Sequence, residues 1–366
     1  ATNALASALL RDGEAERAIA LLEPQVRRFA QPCPERSVAL SLLGDANGRL
    51  GRTDAAYAAY AASKADFAAI NTRPGMGEIG NREFVEAIRD AFSASPAEAW
   101  RQAPGGQPHN ACSPHVFLLG FPRSGTTLVE NVLATLPGVA ALEERPTLIE
   151  ADSAYLLGDR AAVAAGLARF AALDEAGLAR LRAAYWNKVA ASGVSADATA
   201  FVDMDPLKGS RLPLIARLFP EARILIMRRD PRDVVWSCFR TNFAMSSGTL
   251  EFTTLEKAAR HYDAMMQLIE LARERLNLAM LEVHYHRLVQ DFDATTREIC
   301  SFIGLDWSED LRRFDRTAQR RGVATASAGQ VRRGLYDGTR QWEPYARHLE
   351  PVMPLLQPWI ERFGYA

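Results

Sequence analysis

The stretch VFLLGFPRSGTTLVENVL, Val116 to Leu133, holds the residues whose types and spacing point most directly to chemistry. Gly120 to Gly125 is a turn of small and polar residues. Before it lie four apolar residues, Val116 to Leu119; after it Leu128, Val129, Val132 and Leu133 keep helical spacing. A strand, a glycine turn and a helix start make an anion site: the glycines let backbone N–H groups curl toward phosphate oxygens, and the helix dipole favours negative charge. Arg123, Ser124, Thr126 and Thr127 put polar side chains on an otherwise apolar unit. A merely structural glycine turn has no need of them.

The spacing Gly120-x4-Gly125 is that of a Walker A loop, but Thr126 stands where that loop has its phosphate-gripping Lys. The stretch should hold a phosphate without serving an ordinary magnesium–nucleotide hydrolase. Composition narrows the field further. The net charge of -1 gives no global basicity to recruit nucleic acid. Cys33, Cys112, Cys238 and Cys300 lack CxxC spacing, which argues against a zinc site or disulfide framework and fits a reducing compartment. No apolar run approaches the roughly 20 residues of a membrane span. A cytoplasmic location is expected, although a chain beginning without Met is compatible with a trimmed leader.

The elements that must position the loop read as an α/β chain. Residues 1–94 are expected to be helical. Aligning Gly13 with Gly51, Ala18 with Ala56 and Leu22 with Tyr60 gives two helix–turn–helix units like tetratricopeptide repeats, with Asn47 departing from the pattern. Their offset of 38 exceeds the usual repeat of about 34, as an enlarged connection at Ala30 to Arg36 would explain. A generic Ala-rich hairpin is the plainer alternative. Residues 95–114, rich in Pro and Gly, read as a linker, and 115–366 as the catalytic domain. There, helices are expected over 160–191, 210–218, 255–276 and 295–303, and strands at Phe201-Val202, Arg223–Met227 and Leu278–Val283. After the second of these strands, Asp230 can cap a helix that Pro231 begins. Apolar strands alternating with helices argue a parallel sheet covered on both faces, with ligands at the strands' carboxyl ends.

With Gly120-Phe121-Pro122-Arg123-Ser124-Gly125-Thr126-Thr127-Leu128 and, about a hundred residues on, Arg229-Asp230-Pro231-Arg232-Asp233 with Ser237, the chain resembles the PAPS-dependent sulfotransferases. It looks most like the bacterial type with tetratricopeptide repeats before the catalytic domain, and more distantly like tyrosylprotein sulfotransferases. The resemblance implies a P-loop-type parallel sheet flanked by helices, and the donor 3′-phosphoadenosine-5′-phosphosulfate (PAPS) without a metal. Arg123, Ser124, Gly125, Thr126 and Thr127 would cradle the 5′-phosphosulfate. Arg229 and Ser237 would meet the 3′-phosphate, a surface-charged helix start being the bland alternative. Of Glu143 and Glu144, the second falls where tyrosylprotein sulfotransferases carry their base, a solvated acidic helix start being the bland alternative for the pair.

One departure is plain. Met204 replaces the Lys the family places after its Phe-Val-Asp strand, so Lys208 or Arg123 would have to supply the missing cation. Tyr285 matches a strand-end Tyr near the donor and is equally readable as a core aromatic. Ser327 and Arg332 are expected on a loop over the nucleotide. The function expected is sulfuryl transfer to a hydroxyl of a peptide, sugar, lipid or small phenol, with the repeats serving a protein partner, a lid or a homodimer surface. The rivals are a P-loop nucleotide kinase, disfavoured because RILIM ends in Arg228-Arg229, and a catalytically degenerate repeat scaffold, favoured only by Met204.

Overall fold

The structure, a computed structural model, describes residues 1–72, 79–100, 114–195, 197–321, 327–332 and 334–366. It divides by compactness into two units, and the division is not the linear one read from the sequence. One unit gathers Ala1–Met76, Asp230–Asp263 and Thr339–Ala366; the other gathers Gly77–Arg229 and Ala264–Gly338. Helix Asn81–Ala94, expected with the repeats, belongs to the second unit. Most of the expected linker, 101–113, lies outside the described residues.

In the first unit, helices Thr2–Arg11 and Ala15–Arg28 form one hairpin and Pro34–Arg49 and Thr53–Asn71 another. Their corners are Gly13 and Gly51, whose φ of 85° and 70° favours a residue without a Cβ. The recurrence of small and large residues has a packing cause at Gly44, where a Cβ would lie 2.4 Å from the Tyr60 ring. Helix Pro231–Arg240 shares this unit; its buried Trp236 stacks on Tyr345 at 3.9 Å and meets Tyr60 edge-on at 5.8 Å.

The second unit is built on a five-stranded parallel sheet of order β2-β3-β1-β4-β5. The strands are β1 His115–Leu119, β2 Val139–Glu143, β3 Ala200–Met204, β4 Arg223–Arg228 and β5 Ala279–His284. Successive side chains point to opposite faces. Val116, Leu118, Val202 and Met204 join the apolar layer containing Leu128, Val129 and Val132 of helix Thr126–Leu133. His115, Phe117 and Phe201 belong to the opposite face, with Tyr185, Trp186 and Phe219. Strand β2 went unread in the sequence because, as an edge strand, it is only partly buried and follows the loop helix after a short turn. Among the described residues no helix is long and apolar enough to cross a membrane.

Candidate active site

Parallel strands end on a common edge, and each strand of this sheet hands over to a residue that can do chemistry there. The first residues beyond β2, β3, β1, β4 and β5 are Glu144, Asp205, Gly120, Arg229 and Tyr285. Register holds the edge level: Leu118 pairs with Met204, Met204 with Glu143, and Arg228 with His284.

After β1 the chain makes the expected loop. Arg123 at φ 71° and Gly125 at φ 106° turn it sharply into the helix that Thr126 begins. Space there is tight. A Cβ at Gly120 would come within 2.7 Å of Ser124 Oγ and 3.1 Å of the Met227 carbonyl, and one at Gly125 within 2.8 Å of the Tyr285 ring. Ser124, Thr126 and Thr127 are buried at the turn. The helix's first amides have no carbonyl of its own to bond, which suits them to an anion.

Arg123, Gly125, Arg229, Tyr285 and Ser327 line one cavity, together with Leu128, Val331, Gly334, Tyr336 and Gly338. Arg229 donates to the Arg123 carbonyl at 2.7 Å and to the Gly338 carbonyl, and lies over the Tyr285 ring at 5.0 Å. The Tyr285 hydroxyl donates to the Tyr336 carbonyl and accepts from the Gly338 amide at 3.3 Å. Arg123 donates to Ser327 Oγ at 2.6 Å. Burial pushes the Tyr285 hydroxyl above its ordinary pKa, so it remains a neutral donor. The exposed Arg332 is not on this wall; its carbonyl accepts from Gln319 at 3.1 Å. Ser237 lies buried on helix Pro231–Arg240 and is counted with the first unit. Sequence reasoning put Thr325–Trp342 on a loop over the nucleotide but did not single out Tyr336 and Gly338, which meet Tyr285 through backbone atoms rather than distinctive side chains.

Glu144 follows strand β2 rather than opening a helix. Its amide donates to the Met204 carbonyl at 2.7 Å, and its φ of 49° is rare for a residue with a side chain. Reduced hydration, then the negative charges of Asp205, Glu143 and Glu130, push its carboxyl up to about 7. The residue is exposed, and those three carboxylates crowd it from the protein side.

Met204 ends β3 on one face, while Lys208, on the short helical turn Pro206–Arg211 that follows, reaches Asp203 on the other. Met204 is fully buried in the apolar layer under the loop helix. Lys208 is buried too, and its ammonium donates to Asp203 Oδ1 at 2.5 Å, Thr147 Oγ1 at 3.0 Å and the Arg145 carbonyl at 3.1 Å. Three protons meet three acceptors. That geometry commits Lys208 to the loop behind Glu144, not to a leaving oxygen at the cavity. Asp203 Oδ2 also accepts from Thr147 at 2.7 Å and from the Tyr185 hydroxyl at 2.9 Å, while His115 Nε2 lies 2.8 Å from that hydroxyl. Burial holds the His115 imidazole neutral, its pKa lowered to about 3.

Residues 114–309 match the family model described as "Sulfotransferase family". The chain belongs to the sulfotransferase family. Among curated relatives, an uncharacterized protein of Aquifex aeolicus is 29% identical over 285 residues, 76% of this chain and 36% of its own length. Protein-tyrosine sulfotransferase 2 of Gallus gallus is 29% identical over 210 residues, 54% of this chain and 53% of its own. The chain thus spans between about a third and about half of these relatives. Among solved structures, a sulfotransferase of Mycobacterium avium aligns with a TM-score of 0.42 at 14% identity, covering 94% of this chain and 95% of that one. The sequence-based assignment to this family is met, as is the parallel sheet.

Proposed function

We propose that this sulfotransferase-family chain transfers a sulfuryl group from PAPS to an acceptor hydroxyl. The observation that carries the proposal is the convergence at one sheet edge of an anion loop, two arginines and a carboxylate with a raised pKa. The donor, when bound, supplies the activated sulfuryl group. The residues fit it: Gly120 and Gly125 let the loop turn tightly against Ser124, Met227 and Tyr285, where a Cβ would collide, and Arg123 and Arg229 bring positive charge to one cavity. Arg123 with Ser124, Gly125, Thr126 and Thr127 would hold the 5′-phosphosulfate, and Arg229 the 3′-phosphate.

Glu144 takes the acceptor's proton. A base near pH 7 is well matched to that task, so turnover should fall as pH drops below about 7 and Glu144 is protonated. With Met204 apolar and Lys208 engaged elsewhere, Arg123 and the loop amides bear the charge that develops on the leaving side.

Thermal-shift titration tests the donor site: 3′,5′-ADP should bind more tightly than 5′-ADP, and Arg229→Ala should weaken 3′,5′-ADP roughly 10- to 100-fold, as loss of a charged hydrogen bond does. No preference for the 3′-phosphate would sink the reading. An acceptor panel of 2-naphthol, a tyrosine peptide, a hexose and a long-chain alcohol, with labelled PAPS and mass spectrometry, tests transfer. Glu144→Ala should abolish it and spare 3′,5′-ADP binding. The tyrosine peptide is the first acceptor to try because the Gallus gallus relative is named a protein-tyrosine sulfotransferase. Met204 favours a second reading, a donor-binding protein without catalysis; transfer to any panel member ends it.

A further inference from the structure

We propose that Lys208, Asp203 and Thr147 form a buried tether whose task is to position Glu144. The inference rests on reading Glu144 as the base, and on contacts independent of the donor cavity.

The chain after Glu144 runs Arg145, Pro146, Thr147, and both residues flanking the proline are held by the same ammonium. Lys208 Nζ donates to the Arg145 carbonyl at 3.1 Å and to Thr147 Oγ1 at 3.0 Å. Thr147 in turn donates to Asp203 Oδ2 at 2.7 Å, and Lys208 closes the triangle on Asp203 Oδ1. All three side chains are buried; Asp203 is wholly inaccessible and Thr147 is 1% exposed. On the other side, the Glu144 amide is fixed to the Met204 carbonyl, the residue next to Asp203 on β3. Glu144 is therefore clamped at its own amide and, beyond it, at Arg145 and Thr147.

Such a clamp explains the backbone. A side-chain-bearing residue at φ 49° persists only where its surroundings over-determine it, and such strain gathers at functional sites. It also explains a buried ion pair in an apolar sheet. Buried pairs add little net stability, and in some proteins their role is to select one geometry among several. Without the tether, the turn at 144–147 would relax to ordinary φ and carry the carboxyl away from Asp205, Glu143 and Glu130, the groups that now crowd it.

The test uses the whole chain and needs no acceptor. Thr147→Val keeps the shape and removes the hydroxyl, leaving Lys208 two acceptors and Asp203 two donors; Thr147→Ser restores the hydroxyl. Lys208→Met with Asp203→Asn removes the pair together. Amide exchange at 144–147 should speed at least tenfold in Thr147→Val and in the double variant. The Glu144 carboxyl, assigned by carbon-13 NMR against Glu144→Gln, should titrate about a unit or more below its wild-type value. Thr147→Ser should behave as wild type, and all should keep wild-type affinity for 3′,5′-ADP. A folded Thr147→Val with unchanged exchange and titration overturns the proposal, as does Thr147→Ser failing to rescue. Should Glu144→Ala leave transfer intact, the base assignment falls while the tether is still judged by exchange.

Discussion

Glu144 and Arg123 both hold a side chain at positive φ, 49° and 71°. The conformation costs a non-glycine residue roughly 1–2 kcal/mol, more than the roughly 0.4–1 kcal/mol lost through added freedom of the unfolded chain when glycine is introduced. Glu144→Gly should therefore raise unfolding stability by about 0.5–1 kcal/mol while abolishing transfer, and Glu144→Ala should bring no such gain. Denaturant titration of both variants decides it. Behind the loop, Glu130 is almost wholly buried, paired with Arg321 at 2.9 Å, and burial pushes its carboxyl up to about 7. An acid whose folded pKa is raised destabilises the fold as pH climbs from its ordinary value, near 4.5, toward 7, because the folded state then holds a proton that the unfolded state releases. Glu130→Gln should gain on the wild type across that window, by on the order of 1 kcal/mol per pH unit, with no further gain above it. Unfolding curves at pH 5, 6, 7 and 8 would show the slope or its absence. Arg229 and Tyr285 stood out in sequence because each directly follows a strand, and Arg123 because it sits in the glycine turn after one. The occupation of Lys208 was not legible: three acceptors from two distant segments converge on it, and no spacing announces that.

At the scale of elements, the phosphate loop shows why its glycines were readable. Gly125 sits at φ 106° with the Tyr285 ring 2.8 Å from where a Cβ would be, so conformation and packing both demand glycine. Gly125→Ala should cost about 1–3 kcal/mol of stability and weaken 3′,5′-ADP at least tenfold. Calorimetry with and without the nucleotide separates the two effects; an alanine variant that binds normally would show the loop to be dispensable for anion binding. The central strands β1, β3 and β4 were visible as apolar runs because both of their faces are buried. Strand β2 was not, since its edge position leaves Val139 to Ala141 half-buried and Glu143 at its end polar. Missing that strand is why Glu143 and Glu144 looked like an acidic helix start, when a strand end aims the second at the sheet's carboxyl edge.

The whole molecule resists the sequential division that its composition invites. Pro- and Gly-rich residues 95–114 look like a boundary, yet compactness gathers three distant segments into one unit, and composition carries no record of contacts across two hundred residues. Within that unit Tyr60 meets Trp236, Tyr57 lies 5.5 Å from Phe239, and Lys64 donates to the Thr241 carbonyl at 2.5 Å. Asp233 accepts from the Arg340 and Trp342 amides at 2.9 and 3.1 Å, fastening the carboxyl-terminal segment to the same helix. Removing residues 1–76 should therefore uncover Trp236 and Phe239 rather than detach an independent arm. Losing the neighbours of two large buried aromatics costs several kcal/mol, enough to unfold a marginal unit. The fragment 77–366 should bind a hydrophobic dye, lose near-ultraviolet circular dichroism from its tryptophans and melt over a broad, lowered transition. A sharp transition with wild-type 3′,5′-ADP affinity would instead mean that the helical hairpins are separable.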